Sequence, residues 1–205
     1  MEECTDEAVQ QMLPLVSAQR REQALRYKHT LGRFCCLKSW LMLYELLDEG
    51  MRGLMDKWEY NEHGKPSFHL SPLTSHLYFS ISHCKEGIAV AVDETPIGVD
   101  IEAIRHVDND LIERVMLSRE REEINKASEP DRAFTRLWTQ KEAVVKAQGT
   151  GITSFEQLQY LLLPALDPDS TRPHILQTFE KEKYIYSIAY GKLHCFSAEI
   201  PAADL

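Results

Sequence analysis

The chain has 205 residues, 43% of them hydrophobic and 27% charged, with a formal net charge of −9. That length buries one good core, or two small ones packed together. The acidic balance excludes nucleic-acid binding through bulk charge, so an anionic ligand needs a local basic patch.

From Ser17 to Leu47 the chain reads as helix, with Leu31, Phe34, Leu37, Leu41 and Tyr44 recurring at three- and four-residue spacing. This segment carries a local basic excess, including Arg20, Arg21, Arg26, Lys28, Arg33 and Lys38. Gly50 and Gly53 mark its end. Asn61-Glu62-His63-Gly64-Lys65-Pro66 is a turn by composition. Tyr78 to His83 alternates as a strand, Cys84-Lys85-Glu86-Gly87 suits a hairpin turn, and Ile88 to Val92 returns as a second strand. After Asp93-Glu94-Thr95-Pro96, residues Ile97 to Glu102 form a third strand. A helix is expected around Asn109 to Met116. A stronger one runs from Asp131 to Ala147, with Ser128 and Asp131 as a capping box and Gly149 and Gly151 as the stop. Leu163 to Pro173 reads as loop, and Lys183 to Tyr190 and Leu193 to Ile200 as strands. The order of helix then strands occurs twice. It implies two similar α+β lobes, residues 1–95 and 96–205, that work as one unit around a cleft.

The five cysteines (Cys4, Cys35, Cys36, Cys84 and Cys195) follow no zinc spacing and are expected to be reduced thiols of a cytoplasmic protein. The start, Met1-Glu2-Glu3-Cys4, is not a signal peptide by composition. No apolar run reaches the ~18 residues of a membrane span, so no membrane association is expected.

Asp100 and Glu102 stand two apart on a strand and share a face. Carboxylates held together repel unless a cation joins them, and a hard divalent ion meets that need. The same spacing also suits a solvated strand edge. Glu142 and Lys146 are four apart on a helix, which places them together for chemistry or as an ordinary surface ion pair. Lys141, beside Glu142, points elsewhere on the helix and is expected to be solvated. His83 ends its strand as a phosphate donor or a hydrogen-bonded structural residue. Lys65 lies in a turn that holds it toward an anion or leaves it in solvent. Trp40 and Trp58 read as core. No G-x-x-x-x-G-K-[ST] loop is present, which counts against another magnesium-dependent phosphotransferase or nucleotide hydrolase.

Gly98-Val99-Asp100-Ile101-Glu102 and Trp138-Thr139-Gln140-Lys141-Glu142-Ala143-Val144-Val145-Lys146-Ala147-Gln148-Gly149 together resemble the two signature motifs of the phosphopantetheinyl transferase superfamily. Gly64-Lys65-Pro66 and Phe79-Ser80-Ile81-Ser82-His83 resemble two further motifs of its larger, Sfp-like branch, in the same order. The resemblance implies a 4′-phosphopantetheinyl transferase fold: two pseudo-symmetric α+β lobes, each a small, mostly antiparallel sheet packed with helices, with coenzyme A in the cleft. A monomer is expected, because one chain holds both lobes. Carried over by position, Asp100, Glu102 and Glu142 are the ligands of magnesium, with manganese as an alternative. His83 and Lys146 are phosphate contacts. Lys65, Arg33 and Ser82 are coenzyme A contacts, and Arg20 is expected near the 3′-phosphate. The chain before Arg33 is shorter than the family pattern. The implied reaction transfers phosphopantetheine from coenzyme A to a serine of an apo acyl or peptidyl carrier protein, with Glu142 as base. The alternative is a non-catalytic coenzyme A- or carrier-binding module with the same fold.

Overall fold

Short polar side chains set the starts of the first two helices. The computed structural model describes residues 4–47, 49–56, 58–68, 77–152, 154–162, 175–191 and 195–200. Helix α1 (Asp6–Met12) opens on Thr5, whose hydroxyl accepts from the Ala8 N–H, and a 3-10 turn (Leu13–Leu15) follows it. Helix α2 (Ala18–Leu25) opens on Ser17, whose hydroxyl accepts from the Arg20 N–H. Helix α3 runs Thr30–Leu46. The single helix expected over Ser17–Leu47 is therefore two. The N–H groups of Arg26 and Tyr27 turn back to Gln23 O and Ala24 O, three residues earlier, which tightens and ends α2. Arg33 Nε then donates to Tyr27 O and holds the corner. Phe34 and Leu37 face the core as the spacing predicts, whereas Leu31 and Tyr44 are exposed.

A short helix α4 (Glu49–Arg52) and a 3-10 turn (Gly53–Asp56) lead to strands β1 (Trp58–Tyr60) and β2 (Pro66–Phe68), an antiparallel pair around the Asn61–Lys65 turn. Strands β3 (Tyr78–Cys84) and β4 (Gly87–Asp93) form the expected hairpin, with Cys84 opposite Gly87. Strand β5 (Ile97–Ala103) passes to the second half. There follow α5 (Asn109–Val115), α6 (Ser118–Lys126), α7 (Pro130–Gln148), α8 (Phe155–Tyr160), β6 (Ile175–Glu180), β7 (Tyr184–Tyr190) and β8 (Cys195–Ile200). Helix α7 opens at Pro130 after Glu129 without a side-chain cap, not on a Ser128–Asp131 box. Proline suits the first position, where its fixed φ is helical and its missing N–H is one that has no intrahelical partner anyway. Gly149, at φ 70°, closes the helix in the left-handed region. Leu163 to Pro173 and Leu193 lie outside the described residues.

The described strands form three sheets, β1-β2, β3-β4-β8 and β5-β7-β6. The β3-β4 sheet and α1–α3 enclose one core, built on Phe34, Leu37, Trp40, Leu43, Trp58 and Phe79. Helix α7 packs on β5 and β7 over a second core with Val115, Met116, Ile124 and Leu158. A third cluster joins the halves: Ile97, Val99 and Ile101 of β5 with Ala89, Ala91, Ile188 and Tyr190. Strand β8, from the end of the chain, pairs with β4 and completes the first sheet. No helix among the described residues is long and apolar enough to cross a membrane.

Candidate active site

Strand alternation sends Ile97, Val99 and Ile101 into the joining cluster, and Gly98, Asp100 and Glu102 to the opposite face, toward α7. A Cβ at Gly98 would stand 2.0 Å from Ala143 O and 2.3 Å from Ala147 N. Only glycine admits so close an approach, and it brings Asp100 and Glu102 alongside Glu142 and Lys146. Strand β3 comes up on the other side. Its serines reach β5 with their hydroxyls: Ser80 Oγ accepts from Val99 N at 3.0 Å and Ser82 Oγ donates to Asp100 Oδ1 at 2.8 Å.

The result is a cavity of about 430 Å³ bordered by α2, α3, β3, β5 and α7, into which Asp100, Glu102, Glu142, Lys146, His83 and Ser82 all open. A second cavity of about 290 Å³ adjoins it and shares Ile81, Glu142 and Lys146. Lys65, Gly64 and Pro66 line that second space. Arg33 borders neither cavity; its guanidinium is turned to the corner before α3. Arg20 lies in the wall of the first cavity at 7% exposure. Its Nε and Nη2 donate to Cys36 O at 3.0 and 2.7 Å, its Nη1 donates to Gln23, and its guanidinium lies 4.4 Å from the Trp40 ring centre.

Lys146 Nζ donates to Asp100 Oδ1 at 2.6 Å and to Ser82 Oγ at 2.9 Å, so one ammonium joins α7 to both β5 and β3. Asp100 is 3% exposed, and its second oxygen, Oδ2, is buried with no hydrogen-bond partner among the described residues. Burial, with Asp100 next, pushes Glu142 up to about 7 and raises Glu102 as well. His83 opens to the cavity, yet the surrounding walls remove enough water to lower its pKa, and Lys146 adds to that. Burial lowers Lys65 to about 8. Among the described residues no three His, Cys, Asp or Glu side chains are already drawn into a metal cage. The counter-charge present at Asp100 is Lys146.

Lys141 is not solvated. It is 0% exposed, ion-paired to Glu120 at 2.9 Å, and donates to Leu158 O at 2.8 Å. Helical geometry puts it a hundred or so degrees from Glu142, which here means into the core between α6 and α8. Trp138, which opens the second signature motif but had no expected role, has a part in the site: it lines the cavity and hydrogen-bonds Glu102. Its place four residues before Glu142, on the same helix face, is the signal that could have found it.

The profile of the 4′-phosphopantetheinyl transferase superfamily matches residues 96–200, the stretch that holds Asp100, Glu102, Glu142 and Lys146. This chain belongs to the 4′-phosphopantetheinyl transferase superfamily. It is 27% identical over 182 residues to the 4′-phosphopantetheinyl transferase psf-1 of Bacillus pumilus, covering 83% of this chain and 76% of that protein. It is 23% identical over 188 residues to Sfp of Bacillus subtilis (strain 168), covering 86% and 82%. Against the transferase AcpT of Salmonella typhi it is 39% identical over 117 residues, covering 54% and 58%. Membership in this transferase superfamily makes the chain an enzyme, with the α+β fold of small antiparallel sheets described above.

Proposed function

We propose that the chain moves the 4′-phosphopantetheine group of coenzyme A onto a serine hydroxyl of an apo acyl or peptidyl carrier protein, releasing adenosine 3′,5′-bisphosphate. The observation that carries the reading is the orphaned Asp100 Oδ2 in a cavity it shares with Glu102 and Glu142. A buried carboxylate oxygen with no donor, beside two carboxylates whose ionisation burial and mutual repulsion disfavour, suits a hard divalent cation. Asp100, Glu102 and Glu142 would hold magnesium, or manganese, in place of the protons. Bound there, the ion would neutralise charge on the pyrophosphate of coenzyme A.

The chain's own groups supply the rest. Glu142 faces the cavity and would take the proton of the serine hydroxyl, directly or through a water. The serine oxygen forms a bond to the β-phosphorus as the bond to the bridging oxygen breaks. Lys146 and His83 face the same cavity and offer N–H donors to the phosphate oxygens as charge builds on the leaving bisphosphate. Ser82 holds Lys146 from the first lobe, and Trp138 holds Glu102. Lys65 and Arg20 border the space available to coenzyme A. The same reading makes the protein a cytoplasmic monomer, since one chain supplies both walls of the cleft.

A non-catalytic module with this fold has no use for three carboxylates and a lysine around one cavity. The reading is tested by incubating the protein with coenzyme A, magnesium and a panel of apo-carriers. The expected result is the mass of one phosphopantetheine added to at least one carrier. No addition to any of them would favour the binding module.

A further inference from the structure

The turn between β1 and β2 does more than close its own hairpin. Asn61 Oδ1 accepts from the backbone N–H groups of His63 and Lys65 at 3.0 and 2.8 Å, and Gly64 sits at φ 81° to complete the turn. From this rigid base two side chains leave in the same direction. Asn61 Nδ2 donates to Gly149 O at 2.9 Å. Lys65 Nζ donates to Lys146 O at 2.6 Å, to Ile97 O at 3.1 Å and to Ala147 O at 3.4 Å. Lys146 and Ala147 belong to the last turn of α7, and Gly149 is its C-cap. Carbonyls at that end of a helix lack intrahelical partners, and the helix dipole favours a cation beside them. Ile97 opens β5, the strand that carries Asp100 and Glu102.

We infer that Asn61 and Lys65 form a strap from the first lobe that caps α7, and that Lys65 is a positioning residue acting through Lys146 and Glu142. The inference rests on the transferase reading of the cleft only where it concerns rate. Lys146 is held at both ends: its carbonyl by Lys65, its ammonium by Asp100 and Ser82. Three backbone carbonyls are the partners of the Lys65 ammonium, which directs it away from a ligand and toward the helix end. Its stem packs beside Gly149, and Lys65 lines the second cavity with Gly64 and Pro66 of the same turn. The strap therefore sets the axial position of α7 against β5 and β3. Misplacing a reacting group by about 1 Å costs on the order of a hundredfold in rate, so register here matters.

The test uses Lys65→Met, Asn61→Ala, their combination and Lys65→Arg in the full chain. Amide hydrogen exchange of residues 145–149, without coenzyme A or metal, should quicken in Lys65→Met and in Asn61→Ala. In transfer assays both single variants should lose about tenfold or more in kcat, while KM for coenzyme A stays within about threefold. The double variant should lose less than the product of the singles, because both side chains cap one helix end. Lys65→Arg should recover part of the rate. Unchanged exchange at 145–149 in both single variants would overturn the inference. So would a rise in KM for coenzyme A with kcat intact in Lys65→Met and no effect of Asn61→Ala. If Lys65→Met does not fold, Asn61→Ala decides both readouts. Quickened exchange in a protein that modifies no carrier would support the strap and remove the transferase reading instead.

Discussion

Lys141 and Lys146 stand on one helix, and each meets a carboxylate: Glu120 at 2.9 Å and Asp100 at 2.6 Å. The first pair is sealed, its side chains 0% and 4% exposed. The second has an equally buried acid, at 4%, but its lysine is 29% exposed and opens on the cavity. The first pair is further tied to Leu158 O and to the Leu117 N–H, both backbone groups of neighbouring segments. The second pair is tied to Ser82, a side chain across the cleft. Each acid keeps one buried oxygen without a partner among the described residues, Glu120 Oε1 and Asp100 Oδ2, but only Asp100 stands in the wall of the cavity with two further carboxylates. A buried ion pair with fixed backbone partners anchors the helix. One with an open wall, facing a cavity that two more carboxylates line, is poised to accept a ligand.

The sharpest way to break this contrast is to remove the group the cavity is built around. Glu142→Ala should lower transfer by about a thousandfold or more, with the fold retained, since a cation ligand and the base go together. Substantial turnover in this variant with magnesium present would sink the assignment. On the sealed side, Lys141→Met leaves Glu120 buried and unpaired, and should cost about 3–5 kcal/mol in chemical denaturation. Lys146→Met should cost less stability and more rate than Lys141→Met; the reverse order would merge the two pairs into one class. Gly98→Ala drives a methyl into the α7 backbone and should cost about 1–3 kcal/mol, with transfer falling further than stability explains. An unperturbed Gly98→Ala would mean that the strand and helix are not in register through that contact.

The smallest effect is a slope. Glu142 has a folded pKa of about 7 against an ordinary value of 4.5, so between those values the folded chain holds a proton that the unfolded chain has released. Stability of the metal-free protein from this group is therefore fully present below about pH 4.5 and is lost as pH rises through about 7. Thermal melts from pH 5 to 7.5 should show that decline, magnesium should offset it, and Glu142→Gln should flatten it. A wild-type slope equal to that of Glu142→Gln would show that Glu142 does not titrate in this range.

Much of the site was legible because it depends on local periodicity. The i, i+2 spacing of Asp100 and Glu102 and the i, i+4 spacing of Glu142 and Lys146 fix faces within one element, and the motif resemblance brought the two elements together. What was not legible depends on what lies opposite. Lys141 looked solvated because its partner, Glu120, is on another helix. Leu31 and Tyr44 share α3 with the buried Phe34 and Leu37 but stand near its two ends, and their spacing does not show where the opposing core stops. The break at Arg26 is made by backbone bonds that no side-chain pattern encodes. Asn61 and Lys65 looked like turn residues because the carbonyls they cap lie more than eighty positions further along the chain. The return of β8 to the sheet of β3 and β4 was not visible, because its partner strand lies more than a hundred positions earlier.

The central claim is that Asp100, Glu102 and Glu142 together make the cation site on which transfer depends. Single-turnover transfer to an apo-carrier, measured against magnesium concentration for the wild type, Asp100→Asn and Glu142→Gln, tests it most directly. The wild-type rate should saturate with magnesium and vanish in chelator. Asp100→Asn should need far more magnesium for its half-maximal rate, and Glu142→Gln should stay near zero at any concentration. Wild-type transfer that persists in chelator, or variants that saturate at the wild-type magnesium concentration with the wild-type rate, would contradict the account.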